Sequence, residues 1–192
     1  MIDYRQMDES CLPWYDKISM RVNISRIYHL EKTDRGLGGI RLIETPVAPY
    51  VKDFCPGEEE RAQQWSKRFD IRNWAFFMAF DGQRPVGAAA VAFRTPGVHM
   101  LAGREDLAVL WDIRVEEAYK GQGIGQGLFD RAAGWAKRQG CRQLKIECQN
   151  NNLPAIRFYH KQGAVLCALD EYAYCDEPAC RQEVQLIWYL DL

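Results

Sequence analysis

The segment LAVLWDIRVEEAYKGQGIGQGLFDRAAGWAKRQG, residues 107–140, decides the fold. It opens on a near-continuous apolar run that reads as a strand. It closes with Ile124, Leu128, Ala132, Trp135 and Ala136 on one helical stripe. Lys137 and Arg138 suit the C-terminal end of that helix, and Gly140 suits its stop. Between strand and helix stands YKGQGIGQG, residues 119–127, with glycine at 121, 123, 125 and 127. Glycine weakens regular structure, so this density requires either a sharp turn or the close approach of something to the backbone.

A strand that feeds a glycine turn and then a helix presents several unpaired N–H groups at the positive end of the helix dipole, which suits an anion. Neither of the two commonest nucleotide loops fits. The dinucleotide pattern G-x-G-x-x-G needs glycine at 126 or 128, where the chain has Gln126 and Leu128. The Walker pattern needs a terminal Gly-Lys-Ser/Thr, which is missing. What remains is Lys120-x-x-Gly123-x-Gly125, for which a tight turn without a ligand is the plain alternative.

The surrounding chain reads as one α/β domain. A length of 192 residues with 47% hydrophobic and 12% aromatic content fills one substantial core. The net charge of -1, without a dense basic tract, argues against nucleic acid as a partner. No apolar run is long enough to span a bilayer and the N-terminus lacks a signal layout, so the expected location is cytoplasmic, with no membrane partner. Seven cysteines form no CxxC pair and suit reduced thiols, and the three histidines show no metal-ligand spacing, so no metal is expected.

Working outward, residues 22–31 and 39–45 alternate as a hairpin around DRGLGG, and Pro46, Pro49 and Pro56 punctuate a loop. EEERAQQWSKRF carries Ala62, Trp65 and Phe69 at helical spacing behind an acidic first turn. WAFFMAF, the Asp81-Gly82 turn and PVGAAAVAF make a second hairpin, apolar on both faces and therefore central. Downstream come the strand QLKIEC and a short helix with Asn152 as N-cap, Pro154 in its first turn and Gly163 at its end. The extended runs AVLCALDEYAY and EVQLIWYL close the chain.

That downstream helix carries N-x-x-A-x-x-F-Y, from Asn152 to Tyr159. Together with the glycine loop this resembles the GNAT superfamily of acetyl-coenzyme A dependent N-acetyltransferases, over residues 74 to 190. PYVKDF near residue 50, ECQNNNLPA and the ending IWYL resemble its streptothricin acetyltransferase group more narrowly. The resemblance implies a mixed, mostly antiparallel central sheet with helices on both faces and a splayed pair of parallel strands. It implies one acetyltransferase domain over residues 1–192, with a cofactor-binding core over about 74–190. The N-terminal part, about residues 1–70, would shape the acceptor site.

The implied co-substrate is acetyl-CoA, and the implied partner is a small-molecule amine acceptor, such as cationic streptothricin in antibiotic resistance. A homodimer is compatible with it. Acetylation of a protein N-terminus or lysine, and a non-catalytic coenzyme A binding module, are the alternatives. In the family the backbone around Lys120, Gly121, Gln122, Gly123, Gly125 and Gln126 wraps the pyrophosphate, and Ile113, Arg114 and Val115 receive the pantetheine arm. Lysine at 120 departs from the usual Gln or Arg. Asn152 and Tyr159 match the family's downstream pair, and Tyr159 would protonate the leaving thiolate.

Asp112 and Glu147 are the two candidates for the base, each with ordinary ion pairing as its alternative. Trp111 stands where the narrower group has a glutamate. Tyr28, Trp65, Trp111 and Trp188 read as core aromatics. Asp170 and Glu171 read as a solvated strand end.

Overall fold

Chain order in the computed structural model, which describes residues 1–192, is β1 (Ile2–Met7), α1 (Leu12–Tyr15), β2 (Arg21–Lys32), β3 (Ile40–Asp53), α2 (Trp65–Arg68), β4 (Ala75–Asp81), β5 (Arg84–Phe93), β6 (Leu107–Val115), α3 (Ile124–Arg138), β7 (Gln143–Gln149), α4 (Leu153–Lys161), β8 (Val165–Asp170) and β9 (Gln185–Asp191). Seven strands join in the order β1-β4-β5-β6-β7-β9-β8, and β2-β3 form a separate two-stranded sheet. β1, β4, β5 and β6 pair antiparallel, whereas β6 and β7 run parallel. The chain divides into two compact units, one from Met1–Met20, Phe54–Ile146 and Tyr189–Leu192, the other from Arg21–Asp53 and Glu147–Trp188.

In the first unit the period-2 alternation of β4 and β5 sends side chains to two buried faces. Phe76, Met78 and Phe80 of β4 and Ala88, Ala90 and Ala92 of β5 share one cluster with Cys11, Leu12, Tyr15 and Trp65 from the α1 and α2 side. The opposite face receives α3. A Cβ on Gly87 would lie 2.9 Å from Ile124 Cγ2 and 3.0 Å from Leu128 Cδ1, so the missing side chain lets that helix sit on β5. Helices therefore cover both faces. The buried stripe of α3 is Ile124, Leu128, Phe129, Ala132, Trp135 and Ala136, the set expected from spacing plus Phe129.

The helix expected over 58–69 is mostly absent. Asp16 accepts the N–H groups of Ala62 (2.6 Å) and Gln63 (3.2 Å), which starts the turn at 62 and leaves the acidic run outside it. Only a 3-10 turn at Ala62–Gln64 and the single turn of α2 follow. Phe69 is already extended, and its ring meets Trp111 edge-on at 5.3 Å. Trp65 packs against Tyr15 at 5.2 Å and Trp74 at 5.8 Å. Tertiary aromatic packing thus overrides local helical spacing.

In the second unit, β2 and β3 form the expected hairpin, but β3 runs through Pro46 and Pro49 to Asp53. Pro46 lies opposite Arg26, beside a register shift between Ile24 and Arg26. A two-stranded ribbon has outward edges that need no donor, so proline survives there. The helix α4 has its expected cap, with Asn152 Oδ1 accepting from Ala155 N–H at 3.3 Å, and Gly163 ends it at φ +85°. The extended run after 164 stops at Asp170, whose carboxylate accepts the Tyr172 N–H at 2.8 Å and bends the chain.

Candidate active site

The glycine loop is built by backbone conformation. Gly121 and Gly123 sit at φ +76° and +82°, in the left-handed region that other residues avoid. Gly121 is thus as necessary to the turn as Gly123. A Cβ on either would meet nothing within 4 Å, so the outer side of the turn is open. Gly123 caps α3 with no side-chain hydrogen bond, and the Gly127 N–H finds the Gly123 carbonyl at 3.0 Å. The amides before Gly127 precede the first helical hydrogen bond, at the positive helix end. Gln122 donates to the Ala118 carbonyl at 3.0 Å, Gln126 donates to Asp130 at 2.8 Å, and Lys120 pairs with Glu117 at 2.5 Å. These side chains bond locally rather than blocking the amides. The loop fits a pyrophosphate on two counts, open approach and unshielded donors.

Gly127 and Gly125 do different work. A Cβ on Gly127 would fall 2.5 Å from Tyr4 Oη and 2.6 Å from Tyr4 Cζ, so glycine there admits the β1 tyrosine against the first turn of α3. Gly125 has no left-handed φ and stands in the first turn of the helix.

Upstream, β6 changes character at Trp111. Its partners on β5 step from Val91↔Leu110 to Ala90↔Asp112, leaving Trp111 as the extra residue of a bulge. The parallel ladder with β7 ends at Leu110↔Ile146, although β6 continues to Val115. Ile113, Arg114 and Val115 thus lie beyond the last paired rung on that side, which frees backbone groups for an extended ligand. The bulge also splits the side chains. Ile113 and Val115 pair with Ala89 and Gly87 on the α3 face, whereas Asp112 and Arg114 pair with Ala90 and Ala88 on the α1 face.

On that face the Asp112 carboxylate is enclosed. Arg114 Nε donates to it at 3.0 Å and a second guanidinium nitrogen closes a bidentate pair. Tyr15 Oη donates to Asp112 Oδ1 at 2.9 Å, and the Arg114 guanidinium lies 4.8 Å from the Tyr15 ring centroid. The side chains are 9% and 3% exposed for Asp112 and Arg114. Burial and the Asp112 charge push the Tyr15 phenol far up. The Arg114 guanidinium, against its own desolvation, is held charged by Asp112. This is ion pairing in which the carboxylate accepts three hydrogen bonds.

Glu147, in the second unit, differs. Tyr174 Oη donates to its Oε1, and Gln149 Nε2 adds a donor at 3.3 Å. Burial raises its carboxyl above the ordinary value of 4.5, the Tyr174 phenol opposes that, Glu183 raises it further and Lys52 lowers it. Lys52 itself is ion-paired with Glu183. Asn152 is spent on capping α4, and Tyr159 is 6% exposed with its ring 5.6 Å from Phe158. Asp170 and Glu171 are turn-forming and paired with Lys32, respectively, as a solvated strand end would be.

Spacing did not point to Tyr15, Tyr174, Lys52 or Glu183. An Asp-x-Arg in a strand does place two opposite charges on one face, and that signal was available for Asp112 and Arg114. The others come together only through contacts distant in sequence.

An amide-rich turn after a bulged strand whose parallel ladder stops short is the arrangement expected of an acyl-coenzyme A transferase. The model of the Acetyltransferase (GNAT) family matches residues 39–164, and the chain belongs to that family of acetyl-CoA-dependent N-acetyltransferases. A streptothricin acetyltransferase from Escherichia coli is 25% identical over 166 residues, 86% of this chain and 83% of that protein. The crystal structure of nourseothricin acetyltransferase superposes with a TM-score of 0.77 at 24% identity, over 99% of this chain and 98% of that one. A Bacillus anthracis str. Ames protein whose crystal structure holds acetyl coenzyme A also gives 0.77, at 22% identity over the full length of both. These two structures share the fold, including its mostly antiparallel sheet. No helix of the chain is long and apolar enough to cross a membrane.

Proposed function

We propose that this chain acetylates a primary amine of a small cationic molecule, streptothricin foremost, and so confers antibiotic resistance. The observation that carries this reading is the similarity to the Escherichia coli streptothricin acetyltransferase, which extends over 86% of this chain and 83% of that protein. The amides of Gly121, Gln122, Gly123, Gly125 and Gln126 hold the pyrophosphate, with Lys120 as the nearby cation. Backbone groups of Ile113 and Val115 hold the pantetheine arm. An N–H near Ile113 or Arg114 supports the negative charge that develops on the carbonyl oxygen.

Acetyl-CoA supplies an activated acyl carbon. An acceptor ammonium with an ordinary pKa of about 10.4 must lose a proton before it can attack that carbon. Glu147 takes the proton, directly or through water, because burial raises its pKa and brings it closer to neutral pH. Asp112 keeps its ion pair and holds β6 in shape. As the new C–N bond forms and the C–S bond breaks, Tyr159 gives its phenolic proton to the departing thiolate and is reprotonated, directly or through water, by the second proton that the acylated nitrogen sheds.

The reading is tested by adding streptothricin to protein and acetyl-CoA and following free thiol. Release well above the no-acceptor background is expected. Background-level release from folded protein, with acetyl appearing instead on peptide amines, would move the activity to protein acceptors.

A further inference from the structure

On β3 in the second unit, Lys52 stands close to two carboxylates from other parts of the chain. Lys52 pairs with Glu183, and Glu147 feels both. Two carboxylates thus share one ammonium. The Glu183 side chain is 14% exposed, yet its Oε2 is fully buried and receives no hydrogen bond. Tyr50 and Lys52 are two residues apart in a regular stretch of β3 and so share a face. Asn151, only 4% exposed, donates to Tyr50 Oη at 3.3 Å, and its Oδ1 is likewise buried without a donor. Asn150 fastens this corner. It exchanges hydrogen bonds with Val184, Asn150 N–H to the Val184 carbonyl and Val184 N–H to Asn150 Oδ1, both at 2.9 Å, which places Glu183 beside it.

Both orphan atoms are acceptors, and leaving a buried acceptor without a donor is costly. A group that brings N–H donors and a positive charge would satisfy both atoms. We infer that Glu183 and Asn151, beside Glu147, are the recognition site for a primary ammonium of the acceptor, with the Lys52 ammonium as resident counter-ion. The inference rests on the reading of the chain as an acetyltransferase of cationic amines and names the residues that would select them. Lys52 already shows that this pocket accepts a primary ammonium against a carboxylate. A second ammonium restores the charge balance, and it lies next to the carboxylate that deprotonates it.

The test compares Glu183→Gln, Asn151→Ala and Lys52→Met in the full-length protein. Binding of streptothricin, and of 1,5-diaminopentane as a simple cation, is followed by titration calorimetry. Binding of coenzyme A serves as the folding control. Glu183→Gln should weaken both cations at least tenfold and Asn151→Ala several-fold. Lys52→Met should tighten them several-fold, because it removes the competing ammonium. Equal losses in all variants that keep coenzyme A affinity would make the cluster merely structural and overturn the inference. Opposite signs for Glu183→Gln and Lys52→Met would support it even if streptothricin were bound but not acetylated, so failure of the functional reading is seen separately.

Discussion

Asp112 faces a bidentate guanidinium and a phenol in the first unit, and Glu147 faces a phenol, an ammonium shared with another carboxylate, and that carboxylate in the second. Both are acidic residues on neighbouring strands of the sheet, and both stand as candidates for the base. One is held in a bidentate ion pair, and burial raises the carboxyl pKa of the other. On the proposed mechanism, charge balance around a carboxylate, rather than its presence on a strand, is what assigns Glu147 and not Asp112 to proton transfer.

The largest expected effect is on the Glu147 side. Glu147→Gln should lower kcat by roughly 10²–10⁴, measured with saturating acetyl-CoA, with unfolding unchanged. If activity survived at near wild-type level, the contrast between the two acids would collapse.

The Asp112 side should answer in stability. Arg114→Leu leaves a buried carboxylate unpaired and should cost about 3–5 kcal/mol in denaturant unfolding. Adding Asp112→Leu should return most of that loss, since the pair is then removed together. Asp112→Asn should cost stability while leaving the kcat of the folded fraction within a few-fold.

The glycine loop divides the same way, between ligand and framework. Gly125→Val should weaken coenzyme A about tenfold, equivalent to one lost charge-assisted hydrogen bond of ~1.5 kcal/mol. Gly127→Val meets Tyr4 and should cost about 1–3 kcal/mol of stability with little change in coenzyme A affinity. Equal binding losses at both positions would mean that the cradle is displaced along the chain. The smallest effect belongs to Lys120→Ala, which breaks an exposed pair with Glu117 and should change stability by less than about 1 kcal/mol.

Much of the framework was legible in the sequence because its signals are local. The α3 stripe repeats at helical spacing, Asp81-Gly82 marks a hairpin, and Asn152, Pro154 and Gly163 punctuate α4. The bulge at Trp111 was not legible, because an extra residue shows only against its partner strand. The helix over 58–69 misled, because its start is set by Asp16, far upstream in the chain. The site followed the same rule. The glycine turn is contiguous and could be read, whereas the surroundings of Glu147 are assembled from Lys52, Tyr174 and Glu183.

The pH dependence of kcat/KM for streptothricin tests the comparison most directly. A base acts only when deprotonated, so activity should be lost as pH falls through a pKa raised above 4.5 by the burial of Glu147. The account predicts that Asp112→Asn keeps this acidic limb and that Glu147→Gln lowers the rate and abolishes it. A limb that persists in Glu147→Gln and disappears in Asp112→Asn would contradict it.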